Sequence, residues 1–177
     1  MDLTPAMQRY VLHWGEMGNR WGANRSIAQI QALLFLSDRP LPADEIAETL
    51  AIARSNVSNS LRELQGWGLV RVSHQIGERR DHFEALSDPW EMFRRIVEER
   101  KKREIDPTLA MLRDCVAEAE ADGRTPDLAK ERMQSMLAFL QLFDGWYAEV
   151  KSLPKATVLG LAKAGGKVAK VLGRVTG

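Results

Sequence analysis

The sequence has a single cysteine and no long apolar run, and these two absences exclude several classes of protein. Cys115 alone cannot close a disulfide within the chain, which is typical of a reducing cytoplasm and leaves no cysteine pair for metal or redox chemistry. No run of about 18 apolar residues occurs, so we expect no transmembrane helix. The start, MDLTPAMQRY, lacks the basic and apolar regions of a secretory signal. We therefore expect a cytoplasmic protein.

The motifs that carry catalysis are missing as well. The sequence contains no GxSxG nucleophile elbow, no P-loop, no GxGxxG and no HExxH. His13, His74 and His82 do not have the spacing of metal ligands, and we interpret them as surface or packing residues. We expect a protein that is not an enzyme and that needs no metal or other cofactor.

Basic residues are concentrated at the C-terminal end of the chain. The formal net charge is +1, but residues 151–177 contain six basic residues and no acidic one. Since 25 minus 6 leaves 19 basic against 24 acidic residues, residues 1–150 carry a net charge of −5. This distribution excludes a uniformly basic nucleic-acid binder and requires any such role to come from a local surface.

The apolar periodicity predicts a mainly α fold with a small β-hairpin wing, which is a winged helix-turn-helix flanked by long dimerisation helices. Asp88 and Pro89 form a strong helix start, and glycines at 66 and 68 end the helix before the hairpin. We expect four regions: an N-terminal dimerisation helix at 1–24, a winged helix-turn-helix DNA-binding domain at 25–87, a C-terminal helical dimerisation region at 88–153, and a flexible Gly/Ala/Lys/Val tail at 154–177.

The stretch RSNVSNSLRELQ at 54–65 predicts a helix with two distinct faces. Val57, Leu61 and Leu64 form an apolar stripe, while small polar residues and arginine lie on nearly the opposite side. Ser and Asn are mediocre helix formers, so helix stability alone does not explain this composition. Short side chains let a helix sit deep in the major groove, where Asn suits adenine and Arg suits guanine. The alternative is an exposed helix that merely tolerates them.

The neighbouring segments favour DNA binding. ADEIAETL fits the first helix of a helix-turn-helix, and a hairpin tip carries two arginines that can reach minor-groove phosphates. The span 25–88 nevertheless has seven basic and nine acidic residues, which indicates a focused patch on an acidic domain. The candidate DNA contacts are Arg54, Ser55, Asn56, Ser58, Asn59 and Arg62 on the recognition helix, and Arg79 and Arg80 on the wing.

The segments NVSNSLRELQGWGLV, GERRDHFEA and DPWEMFRRIVEERKKREIDPTL resemble the winged helix of MarR-type bacterial regulators, and the GbsR-like subset in particular. The resemblance covers roughly residues 10–115. It implies a homodimer that binds double-stranded DNA at a pseudo-palindromic operator. Two positions depart from the family pattern, because Ala51 stands where the turn usually has Gly, and Ala53 where the helix usually has a Ser cap. Ser55 is then a candidate for a place at the helix start.

We therefore predict a cytoplasmic, homodimeric DNA-binding regulator, a repressor, with control by a small-molecule effector of unknown identity left open. The alternative is a winged helix that binds other proteins and never reads DNA, which the negative charge of residues 1–150 favours. Five aromatic residues would suit an effector pocket, but helical spacing is more typical of core or dimer contacts. These residues are Trp14, Trp21, Trp90, Trp146 and Tyr147.

For the remaining features we prefer interpretations that assign no functional site. Cys115 has no flanking His or Cys, which argues against a redox sensor. The run EERKKRE is typical of a solvated, salt-bridged face. The tail could form a basic amphipathic helix for a membrane surface or for DNA, but four glycines between Gly160 and Gly173 favour flexibility. We expect no membrane contact by the tail.

Overall fold

The chain is mainly helical, and a computed structural model describes residues 1–74 and 76–175, with the side chains of 166–175 left out. Within this part lie eight α-helices, one π-helical turn and three short strands. The helices are α1 Pro5–Arg20, α2 Arg25–Leu36, α3 Ala43–Leu50, α4 Arg54–Gly66, α5 Pro89–Arg100, α6 Asp106–Ala121, α7 Asp127–Ser152 and α8 Lys155–Val175. The strands are β1 Leu41–Pro42, β2 Val70–Ser73 and β3 His82–Ala85, and the π-turn is Lys101–Ile105.

The chain forms two compact units, Met1–Glu99 and Arg100–Gly177. The first unit contains α1 to α4 and the sheet, and the second contains the π-turn and α6 to α8. The predicted mainly α fold with a β-hairpin wing is confirmed. Each described helix is too short or too polar to cross a lipid bilayer.

The core of the first unit lies beneath the helix-turn-helix. Its fully buried side chains come from α2, α3, α4 and the segments around them. The predicted apolar stripe of α4 is confirmed, because Val57, Leu61 and Leu64 are at most 2% exposed. Burying each such side chain contributes about 1.5–3 kcal/mol. This packing fixes which side of α4 faces outward.

Helices α1 and α2 approach each other closely at two glycines of α1. A Cβ at Gly15 would lie 2.5 Å from Cγ of Gln29, and one at Gly18 would lie 2.4 Å from Cβ of Ala28. Such distances are far shorter than a carbon–carbon contact allows, so both positions require glycine. The two glycines therefore let α2 pack closely against α1. Gly22 differs, since it has open space around it and a φ of +78°.

The three strands form an antiparallel sheet in the order β1-β3-β2. The hairpin of β2 and β3 pairs Arg71 with Glu84 and Val72 with Phe83. The two-residue strand β1 was not predicted, because Leu41 lies between two prolines and so short a segment shows no alternation of apolar and polar residues. Leu41 pairs with Phe83 and is itself fully buried. The sheet thereby ties the wing to the segment that precedes α3.

The helix starts follow the sequence signals at α5 and α6. Asp88 Oδ1 accepts a hydrogen bond from the backbone N–H of Trp90 across 2.9 Å, which confirms the predicted cap. Pro107 lies in the first turn of α6, directly after the π-turn. Proline has no N–H to donate to an earlier carbonyl, so the regular α-helical ladder is interrupted before it.

Within the segment that we expected to be a flexible tail, the structure has a helix, α8, from Lys155 to Val175. The carbonyl of Pro154 accepts the N–H groups of Thr157 and Val158 at its start. The four glycines weaken the helix, but Ala, Leu and Lys, which are among the better helix formers, outnumber them. Residues 176 and 177 lie outside the described part of the chain.

Candidate nucleic-acid interface

The turn between α3 and α4 carries both departures from the family pattern. Ala51 has φ +53° and ψ +43°, which is left-handed backbone occupied by a residue other than glycine. A side chain in this conformation costs roughly 1–2 kcal/mol. Ala53 stands at the start of α4 without a side-chain cap. This turn is therefore less stable than its glycine and serine counterpart.

An exposed row of small polar side chains runs along the outer side of α4. Ser55, Ser58, Asn59 and Arg62 are all exposed, as is Arg54 at the first position of the helix. Ser58 Oγ donates to the carbonyl of Arg54 across 3.1 Å. Arg62 Nη1 lies 3.5 Å from Asn59 Oδ1, so the amide holds the guanidinium beside it. The row combines hydrogen-bonding groups that suit base edges with one cation.

Asn56 differs from the other predicted contacts on α4. Its Nδ2 donates to Ser26 Oγ at the start of α2 across 2.8 Å. Its Oδ1 accepts from Ser60 Oγ at 3.4 Å, and Ser60 is only 3% exposed. Asn56 is half-buried. Its amide thus forms hydrogen bonds within the protein.

The two wing arginines lie in different environments. The Arg80 guanidinium contacts both carboxylate oxygens of Glu78, at 3.1 and 2.8 Å, and reaches Asp44 Oδ2 on α3 at 3.0 Å. The side chain of Arg79 is exposed and forms no ion pair with any residue that the structure describes. The wing therefore presents one uncompensated cation and one that is already neutralised.

Arg80 lowers the pKa of both carboxylates that it contacts. The Arg80 hydrogen bonds and charge lower the pKa of Glu78 to about 2, with help from backbone N–H groups. The pKa of Asp44 is lowered by a backbone hydrogen bond at the start of α3 and by Arg80, and the charge of Arg54 adds to this. Both carboxyl groups are ionised at neutral pH. The ion pair of Asp44 with Arg80 joins the wing to α3, and Glu78 binds the same guanidinium from within the wing.

Two features of this surface were not predicted from the sequence. Gln65 is exposed one turn beyond Arg62 on the same side of α4. Its position could have been found by extending the i, i+3, i+4, i+7 pattern. Asp44 could not have been found in this way, because it is 36 residues from Arg80.

Two of the five aromatic residues considered for an effector pocket contact other rings, and the other three contact no ring within the described residues. Trp14 stacks on Tyr10 with ring centroids 5.6 Å apart, and Trp90 lies 6.1 Å from Phe93. Tyr147 lies beneath Lys101 Nζ, which is 5.8 Å from its ring centroid. Trp21 and Trp146 are exposed. These contacts fit the packing interpretation of the aromatic residues.

The histidines and the cysteine also lie in ordinary surroundings. His74 Nδ1 lies 3.7 Å from Asp81, and the buried His82 has Nδ1 3.0 Å from the carbonyl of Arg80. Within the described residues, no three His, Cys, Asp or Glu side chains gather as metal ligands would. Cys115 Sγ contacts Met111 Sδ at 3.5 Å.

Comparison with known proteins identifies the winged helix. The model of the MarR family matches residues 23–81. A crystal structure of a transcriptional regulator is 21% identical with a TM-score of 0.60, over 83% of this chain and 96% of that one. This likeness shows the same fold. No curated protein matches the chain significantly.

Two further solved structures are more distant. A mutant of S. aureus MepR bound to an oligodeoxyribonucleotide is 15% identical with a TM-score of 0.39, over 77% of this chain and 88% of that one. A transcriptional regulator from Thermotoga maritima is 16% identical with a TM-score of 0.39, over 84% and 94%. Residues 23–81 of this winged helix-turn-helix protein are therefore similar to the MarR family.

Proposed function

We propose that the chain binds double-stranded DNA by placing α4 in the major groove and the wing beside it. The observation that carries this proposal is the exposed row on α4, which consists of small hydrogen-bonding side chains and arginine. A solvated helix usually carries a mixture of Glu and Lys on its outer side. Short side chains instead allow the backbone of the helix to approach base edges.

Each residue on this surface has a proposed role. Asn59 and Arg62 offer the two-bond patterns that suit adenine and guanine, and Ser55 and Ser58 contact bases or nearby phosphates. Gln65 extends the row. Arg54 and Arg79 bind phosphates, because both are exposed cations, one at the start of α4 and one on the wing. Asn56 positions α4 against α2, and Arg80 positions the wing.

We propose that the protein acts as a homodimer, and an apolar seam on α7 supports this. Met136, Phe139, Phe143 and Trp146 are spaced by three, four and three residues, and each is 52–60% exposed. Among the described residues, α7 has none that is buried. Apolar side chains at this spacing pair helices in coiled coils. A second copy that covered this seam would remove it from water, and sedimentation should then give about twice 19.9 kDa.

The finer assignments rest on the sequence resemblance. A homodimer with two recognition helices matches a pseudo-palindromic operator whose half-sites lie about one helical turn apart. We propose that the protein represses transcription and belongs to the GbsR-like subset, as its three resembling segments imply. Of the proposed regions, 25–87 binds DNA while 1–24 and 88–153 serve dimerisation.

Enrichment of bound fragments from random double-stranded DNA tests this function directly. The proposal expects one recurring motif with approximate two-fold symmetry, and sedimentation of the complex should show two chains on it. Recovery of fragments without a shared motif would contradict sequence-specific regulation.

The rival function is a winged helix that binds proteins. The net charge of −5 over residues 1–150 favours it, since this charge repels DNA. An interaction module would give no enriched motif and no measurable binding to random DNA.

A further inference from the structure

Helix α8 stands out because its side chains are exposed on every side that the structure describes. Between Lys155 and residue 165, Val158 alone is half-buried. Leu161 is 56% exposed and Leu159 is 38% exposed. The first half of this helix therefore keeps leucines in water, which is unfavourable unless another surface covers them.

The charge of this segment has one sign. Lys155 and Lys163 are exposed, and the sequence continues with Lys167, Lys170 and Arg174 at spacings of four, three and four. The side chains of these last three lie outside the described residues, so only their sequence positions enter here. Residues 151–177 contain no acidic residue at all. A surface that binds α8 must therefore be anionic.

Most apolar positions of α8 fall on the side opposite to the basic ones, while Leu159 lies on the basic side between Lys155 and Lys163. At about 100° per residue, Val158 and Leu161 share a side with sequence positions 168, 172 and 175, which are valine or leucine. The lysine positions from 163 onward and Arg174 fall together on the other side. This is the pattern of a helix that lies in a membrane interface, with its apolar side in the lipid and its cations among anionic headgroups.

Against the sequence-based expectation of no membrane contact by the tail, we propose that α8 binds the surface of an anionic phospholipid membrane and lies in its plane. DNA offers phosphates to the lysines but no apolar phase for the valines and leucines, so it leaves half of the helix without a partner. A lipid interface satisfies both sides at once. Over the residues that the structure describes, the helix is not apolar enough to cross the bilayer. Membrane binding is independent of the proposed DNA site on α4, and it would place the regulator at a membrane.

Vesicle flotation of the full chain tests this proposal. We expect binding to phosphatidylglycerol vesicles and little to phosphatidylcholine vesicles, with a loss at high salt because surface charges are screened. Lys163→Glu with Lys167→Glu should lower the partition coefficient at least about tenfold, since each cation near such a surface changes it about fivefold. Arg113→Glu with Arg132→Glu makes the same charge change at exposed positions of α6 and α7 and should have little effect.

The apolar side needs its own variant and its own outcome. Leu161→Ser with Leu172→Ser keeps every charge and should also abolish vesicle binding. Equal binding by this variant would overturn the proposal, because attraction of lysines alone would then explain it. Absence of wild-type binding to phosphatidylglycerol, or its persistence in a chain that ends at Pro154, would overturn it too. If the tail serves DNA instead, that shortened chain would lose DNA affinity and the wild type would not float.

Discussion

Arg80 Nη1 lies 3.0 Å from Asp44 Oδ2, and this ion pair joins the tip of the wing to the first turn of α3. Glu78 completes the arrangement from within the wing at 2.8 Å. Two carboxylates thus neutralise one of the two arginines at the wing tip. The neighbouring Arg79 is exposed and forms no ion pair within the part of the chain that the structure describes.

This difference between adjacent arginines gives a first prediction. Arg79→Ala should weaken binding to all DNA sequences by a similar factor and reduce the salt slope by about 0.9, the value for one phosphate contact. Arg80→Ala should change the slope less, because that guanidinium is already paired. Fluorescence anisotropy at several salt concentrations measures both slopes. Equal losses for the two variants would show that Arg80 leaves its carboxylates on binding.

The recognition helix gives a prediction on sequence specificity. Arg62→Ala should cost about 1–3 kcal/mol on the operator recovered by enrichment and relax one base position. Arg71→Ala is the matched control, because Arg71 Nε binds Glu84 at 2.8 Å on the hairpin. Enrichment repeated with each variant shows the change in motif. A variant Arg62→Ala with an unaltered motif would remove Arg62 from base recognition.

Ala51 gives a prediction on stability alone. Ala51→Gly should raise the free energy of unfolding by up to about 1 kcal/mol, because glycine removes the left-handed strain. The larger conformational entropy of glycine in the unfolded chain offsets part of this gain. Ala47→Gly in the same α3 should instead lower it by about 1 kcal/mol. Urea denaturation monitored by tryptophan fluorescence compares the two. A loss of stability in Ala51→Gly would mean that the turn holds no such strain.

The wing ion pair also predicts a pH dependence. Glu78 has its pKa lowered from 4.5 to about 2, so its ion pair contributes stability above pH 4.5 and loses it as the pH falls towards 2. NMR titration of the Glu78 carboxyl carbon should show a midpoint near the lower value. Arg80→Gln should return the midpoint towards 4.5. An unshifted midpoint in the wild type would rule out a persistent pair.

Features that depend on neighbouring residues could be predicted from the sequence, while contacts between residues far apart in the chain could not. Val57, Leu61 and Leu64 could be placed in the core from their spacing alone, and Asp88 could be assigned as a helix cap from its neighbours. Asn56 could not be assigned, because its partner Ser26 is 30 residues away and nothing local indicates that the amide is occupied. The same holds for Arg80 and Asp44.

The tail shows a different limit of sequence analysis. Its glycines disfavour a helix, but helix propensity is a sum over the whole segment, and the alanines, leucines and lysines between the glycines favour one. The exposure of the seam on α7 appears only in the structure, where Phe139 and Trp146 are 55% and 60% exposed. Sequence periodicity identifies an apolar face without identifying what covers it.

The measurement that tests the central claim most directly is the affinity of the full chain for random double-stranded DNA at two salt concentrations. A protein that neutralises several phosphates loses about 0.9 log units of affinity per log unit of salt for each of them. We predict a steep loss that Arg79→Ala makes shallower. An affinity that is undetectable, or that stays flat as the salt rises, would contradict DNA binding by α4 and the wing.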